Sequence, residues 1–164
     1  MSDLSAYSVR LATEADLPAL HRLVREAYSE HIARGLNFTG TYQDEQTTRE
    51  RMEGNEVYLV CRGEEIIATV TLSSDESRDG SFGLYVNQLA VSPTYKRQGI
   101  GRWLLRYAAD CGQERGAAFL RLDTAIPATH LVSLYQSEGF RVIDEVQWEG
   151  KAYRSYIMEK QLKR

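Results

Sequence analysis

The run Leu89-Ala90-Val91-Ser92-Pro93-Thr94-Tyr95-Lys96-Arg97-Gln98-Gly99-Ile100-Gly101 passes from an apolar strand pattern through a turn into the start of a helical pattern. Such a junction has the chemistry of an anion cradle. The first N–H groups of a helix find no acceptor within it, and the helix dipole adds positive potential at the same end. Gly99 and Gly101 lack a Cβ and permit close approach. Gln98 and Ile100 complete the main-chain run, and Lys96, Arg97 and Arg102 can add charge-assisted bonds to a pyrophosphate or a ribose phosphate. Other phosphate motifs fail: Gly99-Ile100-Gly101-Arg102-Trp103-Leu104 lacks the third glycine of a dinucleotide fingerprint, and no Gly-Lys-Ser/Thr follows. On spacing alone, the pair reads equally well as a helix that merely begins with glycines.

The strand before this junction carries its own signal. Leu84 and Val86 share one phase of a two-residue alternation, whereas Leu89 and Val91 share the other. A β-bulge near Asn87-Gln88 accounts for the slip and turns backbone N–H groups out of the ladder. The competing account is a strand apolar on both faces, for which Tyr85 speaks. Cys61 and Cys111 lie in apolar patterns without metal-ligand spacing and read as buried free thiols, so no metal is expected. His21 and His31 flank a helical stripe as structural or exposed residues, and His130 reads as a surface residue at a helix start.

These residues must be positioned by a chain of 164 residues, 43% of them hydrophobic, enough for a real core. The first seven residues carry no basic segment followed by an apolar run, and no stretch is long enough to cross a bilayer, so a soluble cytoplasmic protein is expected. The formal net charge is -3, and basic residues are scattered except over residues 96–106, which argues against nucleic-acid binding. Acidic pairs such as Asp44-Glu45, Glu64-Glu65 and Asp75-Glu76 are either solvated or steer a cationic substrate.

The expected elements follow from periodicity and punctuation. Residues 9–12 form a strand. Asp16 reads as the N-cap of a helix whose stripe of Leu17, Leu20, Val24, Ala27 and Tyr28 runs to about Ile32. A loop over residues 35–42 is rich in aromatics, and a short polar helix at about residues 44–53 stops at Gly54-Asn55. Strands at residues 57–62, 65–72 and 82–91 read as an antiparallel meander. Ile100, Trp103, Leu104, Tyr107, Ala108 and Cys111 then form a helical stripe ending near Gly112 or Gly116. A strand at residues 119–123, a helix at residues 129–138 stopped by Gly139, and strands at residues 141–148 and 152–160 complete the chain. This order implies a mixed sheet covered by helices on both faces.

The cradle resembles the signature of the GNAT superfamily of N-acetyltransferases, Gln/Arg-x-x-Gly-x-Gly/Ala between a central strand and the next helix. Gly99 and Gly101 match, and Lys96 stands in the Gln/Arg position. Leu134-Tyr135-Gln136-Ser137-Glu138-Gly139-Phe140 is similar to the family's Leu-Tyr-x-x-x-Gly-Phe segment, with Ala128 where the family often has Asn. The resemblance covers nearly the whole chain, the N-terminal part in pattern only. It implies an α/β (α+β) fold in a single domain over residues 1–164: a mixed, mostly antiparallel sheet of six to seven strands flanked by about four helices. It also implies acetyl-CoA as co-substrate, with Leu89, Ala90 and Val91 beside its pantetheine arm, residues 96–102 around its phosphates, and Tyr135 as the acid that protonates the departing thiolate.

The chemistry sets its own demands. An amine attacks a thioester only when neutral, and with a lysine-like pKa of about 10.4 it must first lose a proton. The Leu89 N–H is the expected oxyanion donor, a contribution of about 3 kcal/mol. Where the family often places a glutamate, this chain has Asn87 and Gln88, which can hold a water but accept no proton; Asp123 and the acidic residues after the first helix are open candidates. The acceptor is expected to be a primary amine of a small molecule or peptide. Residues 36–42 and 148–153 are aromatic enough to form its pocket and equally suited to packing or to a homodimer surface. A non-catalytic acyl-CoA-binding regulatory domain, and transfer of a longer acyl chain, are the alternatives.

Overall fold

A computed structural model describes residues 6–162. Seven strands hydrogen-bond in the order β1-β2-β3-β4-β5-β7-β6, numbered along the chain as Ser8–Leu11, Glu56–Arg62, Glu65–Glu76, Phe82–Val91, Phe119–Ala125, Arg141–Val146 and Ser155–Gln161. The α-helices are α1 Leu17–Tyr28, α2 Glu45–Met52, α3 Ile100–Glu114 and α4 Thr129–Ser137. All these strands and helices lie close to where periodicity put them. The chain packs as two compact units, the first running to Leu72 and including Asn87–Leu104, the second comprising Ser73–Val86 and Leu105 onward.

In the first unit β1, β2 and β3 pair antiparallel, Val9 opposite Val60 and Leu59 opposite Thr69. The apolar stripe of α1 explains its packing: Leu20 and Val24 bury against Val57, Leu59 and Cys61 of β2, with Ala12, Tyr28, Met52 and Ile66 around them. Asp16 stands at the N-cap position of α1, as expected, but does not cap it with its side chain. Its carboxylate accepts the Thr13 N–H at 2.7 Å and pairs with both terminal nitrogens of Arg10 at 2.7 and 2.8 Å. The Arg10 hydrogen bond, against a partial cost of burial, holds Asp16 down to about 2. A guanidinium fork out-competes a single cap N–H for the same oxygens. Asp44, in contrast, does cap α2, accepting the Thr47 N–H at 2.8 Å. β3 continues past Leu72 to Glu76, because ladder bonds join backbones and tolerate polar side chains on a half-exposed stretch.

In the second unit β5 and β7 pair antiparallel, as do β6 and β7, and β4 pairs parallel to β5 through Leu84↔Leu120 and Tyr85↔Arg121. Arg121 ties three segments together, reaching Asp75 at 3.1 Å, Ser77 at 2.9 Å and Glu159 at 2.7 Å while its guanidinium stacks 4.2 Å from the Phe119 ring centroid. α3 continues through Gly112, whose missing Cβ makes room for Leu162 (a Cβ would come within 2.7 Å of it), and the chain turns at Gly116 instead, φ 74. Both cysteines are buried free thiols.

Gly83 brings β4 close to the ring of Phe119: a Cβ there would stand 2.3 Å from Cε2 and Cζ of a side chain only 2% exposed. Gly83→Ala is therefore expected to destabilise the fold by about 1–3 kcal/mol through overpacking, read from the shift in urea midpoint.

Candidate active site

Gln88, inside β4, has φ 46, a left-handed conformation that costs a non-glycine residue about 1–3 kcal/mol and persists only where its surroundings hold it. The backbone thus turns left-handed at the expected place, but the strand runs on from Phe82 to Val91 and burial keeps a single alternation, without the expected change of face. Leu84, Val86, Gln88 and Ala90 are buried, while Tyr85, Asn87, Leu89 and Val91 are partly exposed. Counting apolar residues alone misreads this, because the buried member at the left-handed position is polar.

Gln88 is buried with its side-chain oxygen bonded. Its Oε1 accepts from Gln43 Nε2 at 3.1 Å. Gln43, only 2% exposed, also donates to Thr48 Oγ1 at 2.7 Å, and its own Oε1 accepts from Arg51 at 3.3 Å. Thr48 Oγ1 lies 2.9 Å from Nδ1 of His21, which gives that histidine a structural place. The next residue of the strand, Leu89, accepts the Tyr28 hydroxyl on its carbonyl at 3.2 Å. Neither Tyr28 nor Gln43 stood out in the sequence as a site residue; their partners lie 61 and 45 positions away.

After β4 the chain makes a short 3₁₀ turn, Pro93–Tyr95, and then places Arg97 at φ 66 and Gly99 at φ 83, two left-handed residues in three positions. The first bond of α3 runs from the Trp103 N–H to the Gly99 carbonyl at 2.9 Å, so the N–H groups of Gly99, Ile100 and Gly101 precede any acceptor the helix can offer. Space is left over them: a Cβ on Gly101 would meet only Val91, in ordinary contact at 3.9 Å. Arg97 is exposed, and Gln98 accepts the Tyr7 hydroxyl at 3.0 Å. Lys96 is engaged elsewhere, 2.8 Å from Glu30 and donating to the Ala27 carbonyl at 3.2 Å. Burial pushes the Glu30 carboxyl up, but the Lys96 bond and charge outweigh it and leave that carboxyl below its ordinary value. The charge of Lys96 is thus already balanced against the helical side of the first unit.

In the second unit Tyr135 lies buried on α4, its ring edge-on to Phe140 with centroids 6.1 Å apart. The N–H groups of Glu138 and Phe140 both donate to its carbonyl and close the helix, with Gly139 at φ 93 supplying the turn. Glu138 is buried in the same turn and takes a forked pair of bonds from Arg106, at 2.9 and 3.3 Å. At the other end of α4, Ala128 is the N-cap and offers no side-chain bond, as its place where the family often has Asn implies; His130 is exposed in the first turn. Asp123 on β5 accepts the Tyr85 hydroxyl at 2.6 Å. Burial first, and the Asp123 charge second, push that phenol well above its ordinary value, so Tyr85 remains the donor.

A seven-stranded mixed sheet with helices α1–α4, in which β4 leads through a left-handed loop into a long helix, is a fold shared with solved N-acetyltransferase structures. The chain belongs to the acetyltransferase (GNAT) family, whose model matches residues 17–140. It is 42% identical over 52 residues to the ribosomal protein bS18-alanine N-acetyltransferase of Escherichia coli (strain K12), a match covering 32% of this chain and only about a third, 35%, of that enzyme's length. It is 28% identical over 147 residues to the S-alkylcysteine N-acetyltransferase of Bacillus subtilis (strain 168), covering 86% and 82%. The crystal structure of the E. coli enzyme superposes with a TM-score of 0.75 at 21% identity, covering 96% of this chain and 95% of that one. A GNAT family acetyltransferase from Elizabethkingia anophelis with acetyl-CoA bound gives 0.71 at 19%, covering 96% and 99%. At these identities the superpositions show the fold. Among the described residues, no helix is long and apolar enough to cross a membrane.

The open space at Gly101 separates folding from binding. Gly101→Leu is expected to keep the thermal midpoint within a few degrees of wild type while abolishing the heat of acetyl-CoA binding in calorimetry, because the added side chain projects over the first-turn N–H groups and not into the core.

Proposed function

We propose that the chain is a single-domain, cytoplasmic N-acetyltransferase that moves the acetyl group of acetyl-CoA directly onto a primary amine. One observation carries this reading: a strand that turns left-handed at Gln88 runs into a loop whose left-handed residues, 97 and 99, deliver the open first turn of α3. Family membership supports it, as do relatives named as N-acetyltransferases of an alanine and of S-alkylcysteine and a similar fold with acetyl-CoA bound.

In this reading Gly99, Ile100, Gly101 and Arg102 hold the diphosphate by main chain, Arg97 adds charge, and Lys96 and Gln98 shape the loop. Leu89, Ala90 and Val91 present backbone to the pantetheine arm. The Leu89 N–H meets the thioester oxygen as it becomes an oxyanion. The amine nitrogen bonds to the thioester carbon, the carbon–sulfur bond breaks, and Tyr135 gives its proton to the thiolate. Asn87 holds a water, and the proton shed by the amine goes to a carboxylate, for which Asp123 is the choice because Tyr85 orients it.

A second reading, coenzyme binding without turnover, draws on the left-handed stretch itself: Asn87 and Gln88 stand there, neither can accept a proton, and the Gln88 amide is committed to Gln43. Thiol release from acetyl-CoA, screened over polyamines, aminoglycosides, amino acids and peptide N-termini, separates the two. Amine-dependent release is expected; tight acetyl-CoA binding with no release for any amine class favours the second reading. Tyr135→Phe keeps the ring and its contact with Phe140, so acetyl-CoA affinity is expected to stay within about twofold while turnover falls about a hundredfold, the scale of a lost general acid. An unchanged rate removes Tyr135 from the reaction.

A further inference from the structure

Two side chains grip β4 at its left-handed residue from the side of the first helix. Tyr28, the last residue of α1, donates its hydroxyl to the Leu89 carbonyl at 3.2 Å, and Gln43, ahead of α2, donates to the Gln88 side chain at 3.1 Å. Both are themselves fixed. Gly40 lies so close to the Tyr28 ring that a Cβ there would come within 2.5 Å of it, and the rings of His31 and Phe38 meet Tyr28 edge-on at 5.7 and 6.0 Å. Gln43 has both N–H donors engaged, its side-chain oxygen on Arg51, and its main-chain oxygen on Arg25 at 3.1 Å.

The two anchors bracket one peptide group. Gln88 supplies its carbonyl carbon and Leu89 its N–H; one anchor holds the side chain before that peptide and the other the carbonyl after it. A left-handed residue in a strand can relax to ordinary extended backbone, and doing so would swing the intervening N–H to another direction. With both flanks tied, the swing is blocked. We infer that Tyr28 and Gln43 are positioning residues that aim the Leu89 N–H at the thioester oxygen, an inference resting on the acetyl-transfer reading above. The aromatic loop that contains Phe38 and Gly40 thereby sets the orientation of that peptide through the Tyr28 ring.

The test reads the thioester directly. The full chain is loaded with acetyl-CoA carrying carbon-13 at the acetyl carbonyl, and isotope-edited infrared spectra are taken for wild type, Tyr28→Phe and Gln43→Met. In wild type the bound carbonyl is expected at lower frequency than in solution, because a well-aimed N–H polarises it. In both variants the band is expected to return part of the way, with calorimetric affinity for acetyl-CoA within about twofold of wild type and amine-dependent turnover down about tenfold, a loss of aim short of losing the donor. Tyr28→Phe keeps the ring and its packing. Should Gln43→Met not fold, Gln88→Gly takes its place: glycine adopts the left-handed conformation freely but leaves Gln43 nothing to hold. A wild-type band at the solution frequency, or an identical shift in wild type and variants, overturns the inference. Absence of acetyl-CoA binding to wild type is seen separately, in calorimetry, and overturns the acetyl-transfer reading together with it.

Discussion

The constraint on which the first unit turns is that β4 must leave extended backbone at a residue that is not glycine. Gln88 sits at φ 46 with its side chain buried, and each fact requires the other. The amide needs a partner to be buried, and the partner, Gln43, holds the residue in a conformation it would otherwise abandon. A glycine would accept the angle without help but could not be gripped. The polar network of His21, Gln43, Thr48 and Gln88 is thus a backbone clamp made from side chains, set beside the apolar packing of α1 on β2.

The loop that follows works by a different device. Arg97 and Gly99 are left-handed within three residues, and together they deliver the chain to α3 with its first N–H groups unsatisfied by the helix. The amides themselves carry the anion-facing surface, while Lys96, held by Glu30, and Gln98, held by Tyr7, fix the edges of the loop. A main-chain cradle tolerates variation in the residues around it and is intolerant of bulk over its amides.

Much of this was legible in the sequence. The span of β4 was read to the residue, because turn-formers at Ser81 and Pro93 bracket a dense apolar run. The glycine loop and the segment around Tyr135 were visible as spacing. Asp16 takes the N-cap position as expected, yet its carboxylate bonds Arg10 of the preceding strand, a partner that local cap chemistry does not reveal. A left-handed residue does fall within the Asn87-Gln88 stretch, but the slip of phase does not occur: phase counting treats a polar residue as surface, and Gln88 is core. Tyr28 read as one more member of an apolar stripe, and Gln43 carried no signal, because a hydrogen bond spanning 45 or 61 positions leaves no trace in local periodicity. The support of a site is harder to read than the site.

The ion pair of Lys96 with Glu30 has an effect on how the loop senses its medium. Both side chains are partly open to water, 29% and 45% exposed, so dissolved electrolyte weakens their attraction readily. Amide dipoles at contact distance from a bound anion are far less sensitive. Raising ionic strength would therefore slacken the tether between this turn and the end of the first helix well before it loosened the amides' hold on a phosphate, making the loop's freedom, more than its grip, the property that tracks salt.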